Sequence, residues 1–92
     1  MGGIWRVDLD GSNLVELTNS EWDSHYDAPS FSPDGKWMFY GRSGPEGGIW
    51  KVPIEGGNPV RIISAHNDLS FPTVSPDGKM LAYSYDDPSK AR

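Results

Sequence analysis

The only histidines, His25 and His66, each lie in a polar stretch that also carries carboxylates. Ser20 to Asp27 reads Ser-Glu-Trp-Asp-Ser-His-Tyr-Asp, and Ala65 to Ser70 reads Ala-His-Asn-Asp-Leu-Ser. Imidazole beside carboxylate is ligand chemistry for a divalent cation, and repeated loops around one opening would present several copies of it. The two histidines do not align with one another, however, and neither has the spacing of ligands on a helix or hairpin. Solvated polar side chains are the stronger reading, so no metal and no cofactor is assigned. Trp22 has no counterpart in the second stretch, and aromatic side chains are enriched at interface hot spots. It is the leading candidate for a partner contact, against the competing reading that it is buried under a neighbouring loop. The candidate ligand-binding set is therefore Trp22, His25, Tyr26, Asp27, His66, Asn67 and Asp68.

Nucleophilic catalysis has little to build on. Ser32 and Ser75 both precede Pro in a Ser-Pro-Asp-Gly-Lys segment, where the hydroxyl is expected to bond the local backbone. No Gly-x-Ser-x-Gly element is present. Asp34 and Asp77 belong to the same repeated turns and are expected to be structural. Glu21-Asp23 and Asp86-Asp87 lack the glycine-centred twelve-residue loop of a calcium site. Gly2-Gly3 and Gly47-Gly48 are followed by neither a helix nor Lys-Ser/Thr, so they are read as flexible leads into strands rather than a phosphate loop. No catalytic residue is assigned, and the chain is not expected to be an enzyme.

These residues are positioned by a repeat. Gly2-Gly3-Ile4-Trp5-Arg6-Val7 recurs as Gly47-Gly48-Ile49-Trp50-Lys51-Val52, an offset of 45, and Ser32 to Lys36 recurs as Ser75 to Lys79, an offset of 43. Gly11 matches Gly56, Asn13 matches Asn58, Val15 matches Val60, Pro29 matches Pro72 and Tyr40 matches Tyr83. The two-residue change in offset falls around Ser24 to Ala28 and marks a loop. The copies span residues 2–46 and 47–92, and a period of 40 to 50 residues suits four short strands per copy.

Alternation of apolar and polar residues and the turn residues between them predict eight strands. In the first copy they are Ile4 to Leu9, Leu14 to Thr18, Ala28 to Ser32 and Lys36 to Arg42, with Asn19 to Asp27 as a loop. In the second they are Ile49 to Ile54, Val60 to Ser64, Phe71 to Ser75 and Lys79 to Tyr85. Trp37 to Tyr40 is apolar on both faces and is expected between neighbouring sheets. Trp5 and Trp50 hold equivalent positions and are expected to pack there as anchors.

Composition agrees with an all-β class. Eleven glycines and eight prolines accompany 12% aromatic residues, and 92 residues make at most one small domain. Thirteen acidic residues against eight basic ones give a net charge of −5, the wrong sign for a nucleic-acid partner. No apolar run approaches the ~18 residues that cross a bilayer, so no membrane insertion is expected. The absence of cysteine removes disulfides and thiolate zinc sites.

The repeated residues resemble the TolB-like, or WD40-like, β-propeller repeat family: a Pro, then Ser-Pro-Asp-Gly-Lys, a hydrophobic strand, then Ile-aromatic-basic-Val and an acidic-Gly turn. Pro29 to Gly56 fits this in one run, and Pro72 to the C-terminus with Met1 to Gly11 fits it in two pieces. The resemblance implies four-stranded antiparallel blades whose innermost strand leads into Ser-Pro-Asp-Gly. Residues 28–64 would then be one complete blade, flanked by an outer half-blade, 4–18, and an inner half-blade, 71–85. Two blade-equivalents cannot close a ring. Head-to-tail association of three copies, with Lys79 to Tyr85 of one beside Ile4 to Leu9 of the next, would give six blades. Two or four copies would give four or eight.

The function this implies is a noncatalytic scaffold binding itself and a protein or peptide. The alternative is a piece of an enzyme-associated propeller, a peptidase gating domain or a metal-dependent polysaccharide lyase. The resemblance implies a periplasmic or secreted location, and the lack of a leader in the chain as written leaves a cytoplasmic one open.

Overall fold

The computed structural model describes residues 3–18, 25–64 and 69–85. Its elements are β1 (Trp5–Arg6), β2 (Val15–Glu16), β3 (Tyr26–Phe31), β4 (Trp37–Arg42), β5 (Gly48–Pro53), β6 (Val60–Ser64), β7 (Leu69–Val74) and β8 (Leu81–Tyr85). Every regular element among the described residues is a strand, and every pairing is antiparallel. The protein is all-β. Strands β3-β4-β5-β6 form one four-stranded sheet, while β1-β2 and β7-β8 form separate two-stranded sheets.

Each expected strand has one observed counterpart, with shifted ends. The first is shorter than Ile4 to Leu9, because the backbone beyond Arg6 is taken up by a turn. The Asp8 N–H donates to the Ser12 carbonyl at 2.9 Å, the Gly11 N–H returns to the Asp8 carbonyl at 2.8 Å, and Asn13 Nδ2 donates to the Asp8 carboxylate at 2.8 Å. The loop before β3 is shorter than expected, since Tyr26 and Asp27 already pair with Arg42 and Gly41 in the ladder.

Sheet faces follow from register. Met38 lies opposite Val52 and Tyr40 opposite Trp50, and facing residues of an antiparallel pair project to the same side. On that side Met38, Tyr40 and Val52 form a buried cluster with Ile4 and Leu17 of the β1-β2 sheet, and Val15, Tyr26, Trp50 and Ile54 pack around it. Each fully buried aliphatic side chain here contributes about 1.5–3 kcal/mol. Thr18 Oγ1 accepts the Ile4 N–H at 2.9 Å, and Arg6 Nε donates to the Ile54 carbonyl at 2.8 Å, tying β1 to the central sheet. The other face carries Trp37, Phe39, Ile49 and Lys51 and meets β7, with Ile49 and Pro72 fully buried. Ser30 Oγ donates to the Pro72 carbonyl at 2.7 Å and links β3 to β7. The β1-β2 and β7-β8 sheets thus lie on opposite faces of the central one.

Trp37 to Tyr40 behaves as expected, with Met38 and Tyr40 buried and Trp37 and Phe39 half-buried. The two tryptophans expected as equal anchors part company. Trp50 is half-buried against the core, whereas Trp5 is 51% exposed within the single chain, with no described element packed over its side of β1. Gly48 is no flexible lead. It is a buried member of β5 with φ +141°, and a Cβ there would collide with the Ile63 carbonyl.

The two Ser-Pro-Asp-Gly-Lys turns carry the same bond set. The Gly35 N–H donates to the Ser32 carbonyl at 2.9 Å, so the Trp37 N–H turns to Ser32 Oγ at 3.0 Å. The same hydroxyl donates to Asp34 Oδ1 at 2.6 Å, which also accepts the Lys36 N–H at 3.0 Å. Ser75, Asp77, Gly78, Lys79 and Met80 repeat every one of these bonds. The Ser hydroxyl stands in for its own backbone carbonyl, and Asp closes the loop.

The Ser hydroxyl first and the Lys N–H second hold the Asp34 and Asp77 carboxyls below their ordinary value of 3.8. A carboxyl depressed in the folded state contributes stability that is complete above 3.8 and is lost as pH falls through its lower folded value. Acidification below 3.8 should therefore loosen both turns. The expected observation is a denaturation midpoint that falls with pH in this range, with a shallower slope in the Asp34→Asn, Asp77→Asn double variant.

Candidate functional site

The end of the central sheet where β3 begins and β4 gives way to β5 gathers the described members of the candidate set. His25 is exposed, and its carbonyl accepts the Ser43 N–H at 2.9 Å. Tyr26 is half-buried on β3 with its ring centroid 6.0 Å from that of Tyr40, and Asp27 is exposed beside it. Trp22, His66, Asn67 and Asp68 lie outside the described residues, so the structure brings together only His25, Tyr26 and Asp27.

Sequence reasoning missed what stands beside them. The Arg42 guanidinium lies between two rings, 5.3 Å from the Tyr26 centroid and 5.1 Å from that of Trp50, and Arg61 covers Trp50 at 5.9 Å. Trp50 and Arg61 are cross-strand partners, as are Tyr26 and Arg42, so the ladder itself stacks the cations on the aromatics. Trp50 Nε1 donates to the Glu46 carbonyl at 2.9 Å, and Arg61 donates to the Gly47 carbonyl through Nε at 3.1 Å and Nη2 at 2.6 Å. Glu46 completes the row as an ion pair to Arg61 at 3.5 Å. Burial pushes the Tyr40 phenol up to about 12, so it stays a neutral hydroxyl under this stack. A one-strand reading shows only an isolated Arg42 and Arg61. The stack needs cross-strand register, which only the turn lengths could have supplied.

A second missed feature is paired by the repeat. Ala28 (φ 52°) and Phe71 (φ 56°) both adopt the left-handed region immediately before a proline, although proline biases its predecessor towards extended backbone. Each sits in a ladder irregularity, between Asp27 and Ser30 in β3 and between Ser70 and Thr73 in β7. The bulge is thus part of the repeated unit and marked in sequence by Pro29 and Pro72. It turns Phe71 outward, 68% exposed.

A groove of about 560 Å³ lies between the two Ser-Pro-Asp-Gly turns, lined by Trp37, Phe39 and Lys51 of the central sheet and by Val74 and Asp77. Lys51 Nζ sits 4.1 Å from the Trp37 ring centroid. Neither turn serine is poised as a nucleophile. Each hydroxyl already donates to an aspartate and accepts a backbone N–H. Among the described residues no three His, Asp or Glu side chains gather as a metal site, and no helix is long and apolar enough to cross a membrane. No family model, no curated protein and no solved structure matches the chain.

Proposed function

We propose that the chain is a noncatalytic scaffold of the β-propeller repeat type that associates with copies of itself and offers its loop-bearing end to a protein or peptide. The observation that carries this reading is the strand order. The β7-β8 sheet repeats the β3-β4 half of the central sheet, the β1-β2 sheet repeats the β5-β6 half, and among the described residues each is a separate two-stranded sheet. A head-to-tail trimer turns three such chains into six four-stranded sheets, the number implied by the TolB-like resemblance, which also suggests a periplasmic or secreted setting. At the loop-bearing end, His25, Tyr26 and Asp27 with the Arg42, Trp50 and Arg61 stack supply the aromatic and guanidinium groups favoured at protein interfaces. Trp22, His66, Asn67 and Asp68 are assigned to the same surface from the sequence.

The test is absolute mass by light scattering after size exclusion. A single species near three times the 10.1 kDa chain is expected. A stable monomer with native strand content would overturn self-association and favour the alternative, a piece of a longer enzyme-associated propeller.

A further inference from the structure

We infer that β8 and the groove beside it receive β1 of a second copy, in a register that the chain has already written once at β4-β5. The inference rests on the self-association proposed above and specifies its seam.

Among the described residues β8 pairs only with β7, and β1 only with β2. Within one chain these two edges lie on opposite sides of the central sheet, so β1 cannot reach β8 of its own chain and a partner must supply it. Unpaired edges of this kind are templates for another strand. The repeat offsets place Leu81 and Tyr83 at the positions of Met38 and Tyr40, and Trp5, Val7 and Leu9 at those of Trp50, Val52 and Ile54.

Register carries over with them. Met38 faces Val52 and Tyr40 faces Trp50, so Leu81 faces Val7 and Tyr83 faces Trp5 of the next copy. Burial supports the match. Tyr40 is 1% exposed and Val52 fully buried, while Tyr83 is 43% and Val7 52% exposed. The first cluster, with Ile4, Leu17, Met38, Tyr40 and Val52, is complete within the chain. Its repeat image would be Ile49, Ile62, Leu81 and Tyr83 with Val7 of the next copy, and in the single chain Ile62 and Tyr83 are each 43% exposed.

The groove is the open end of that image. The Ile54 N–H donates to the Lys36 carbonyl at 2.9 Å, beside the first Ser-Pro-Asp-Gly turn, while Arg6 Nε holds the Ile54 carbonyl. Leu9 of the next copy therefore donates its N–H to the Lys79 carbonyl beside the second turn. Lys51, which occupies the position of Arg6, reaches across the groove to that leucine's carbonyl. Leu9 is fully exposed in the single chain and closes the groove from its open side.

Because the chain has no cysteine, paired substitutions read the register directly. Cross-strand partners fall within the 4.4–6.8 Å Cα separation a disulfide needs, and diagonal neighbours fall outside it. Two in-register variants, Leu81→Cys with Val7→Cys and Met80→Cys with Asp8→Cys, are compared on oxidation with the displaced pair Leu81→Cys with Leu9→Cys. The expected result is a non-reducing ladder of linked chains from the in-register variants and single chains from the displaced one. If the unsubstituted chain has a multiple mass but the displaced pair links, or no pair links, the seam is wrong while self-association stands. If the unsubstituted chain is monomeric, self-association itself fails and the seam with it.

Discussion

Gly48→Ala should cost on the order of 4 kcal/mol, a large share of the 5–15 kcal/mol that holds a typical domain together. Two causes act at once. The backbone sits at φ +141°, where side chains are rarely found, and the added Cβ would overlap the Ile63 carbonyl and lie 2.9 Å from its carbon, with Ser64 Cα at 3.3 Å. These are backbone atoms of the paired strand, so relief requires prising β6 from β5. Gly35→Ala is the control. Its φ of +74° is also left-handed, but nothing lies within 4 Å of the new Cβ, which leaves about 1–2 kcal/mol of conformational cost. Thermal unfolding followed by far-UV circular dichroism should show Gly48→Ala melting far below Gly35→Ala. Equal melting of the two would mean that β6 does not approach β5 so closely.

Tyr83→Asp should leave each chain folded and abolish assembly. In the single chain Tyr83 is 43% exposed, so an aspartate there remains hydrated and the chain keeps its strands. In the proposed seam the same position becomes the equivalent of Tyr40, and an unpaired carboxylate buried there costs about 3–5 kcal/mol, on the order of 10²–10⁴-fold in association. Light scattering should return a mass near 10.1 kDa with an unchanged circular dichroism spectrum, while Tyr83→Phe keeps the parent mass. An assembled Tyr83→Asp would move the seam away from β8.

The strands and their turns were legible because each is set by neighbours in sequence. Ser32, Asp34 and Gly35 can make only one short hairpin, and the second copy spells the same bonds again. Three features depended on distant partners and were read differently. Gly48 looked like a supple lead into a strand, but the Ile63 carbonyl that requires it lies in the next strand. Trp5 and Trp50 share the local pattern Gly-Gly-Ile-Trp-basic-Val, and among the described residues only Trp50 has a covering sheet. Ala28 and Phe71 precede proline, which argues for extended backbone; the bulges that hold them otherwise are products of pairing β3 with β4 and β7 with β8. Of the candidate site, the sequence marked His25, Tyr26 and Asp27. It did not mark Arg42 and Arg61, whose placement over Tyr26 and Trp50 exists only once the strands are in register.

The self-contained turns also bear on how the chain folds. All bonds of each Ser-Pro-Asp-Gly-Lys loop close within six residues, and every described strand pairs with at least one strand adjacent to it in sequence. Loop closure is therefore cheap at every step, and hairpins of this kind form in about 1–10 μs. The hairpins β3-β4 and β7-β8 should be the earliest structure, with docking of the sheets after them. Under the proposed self-association, meeting another chain is then the one concentration-dependent step, and dilution should slow that step alone.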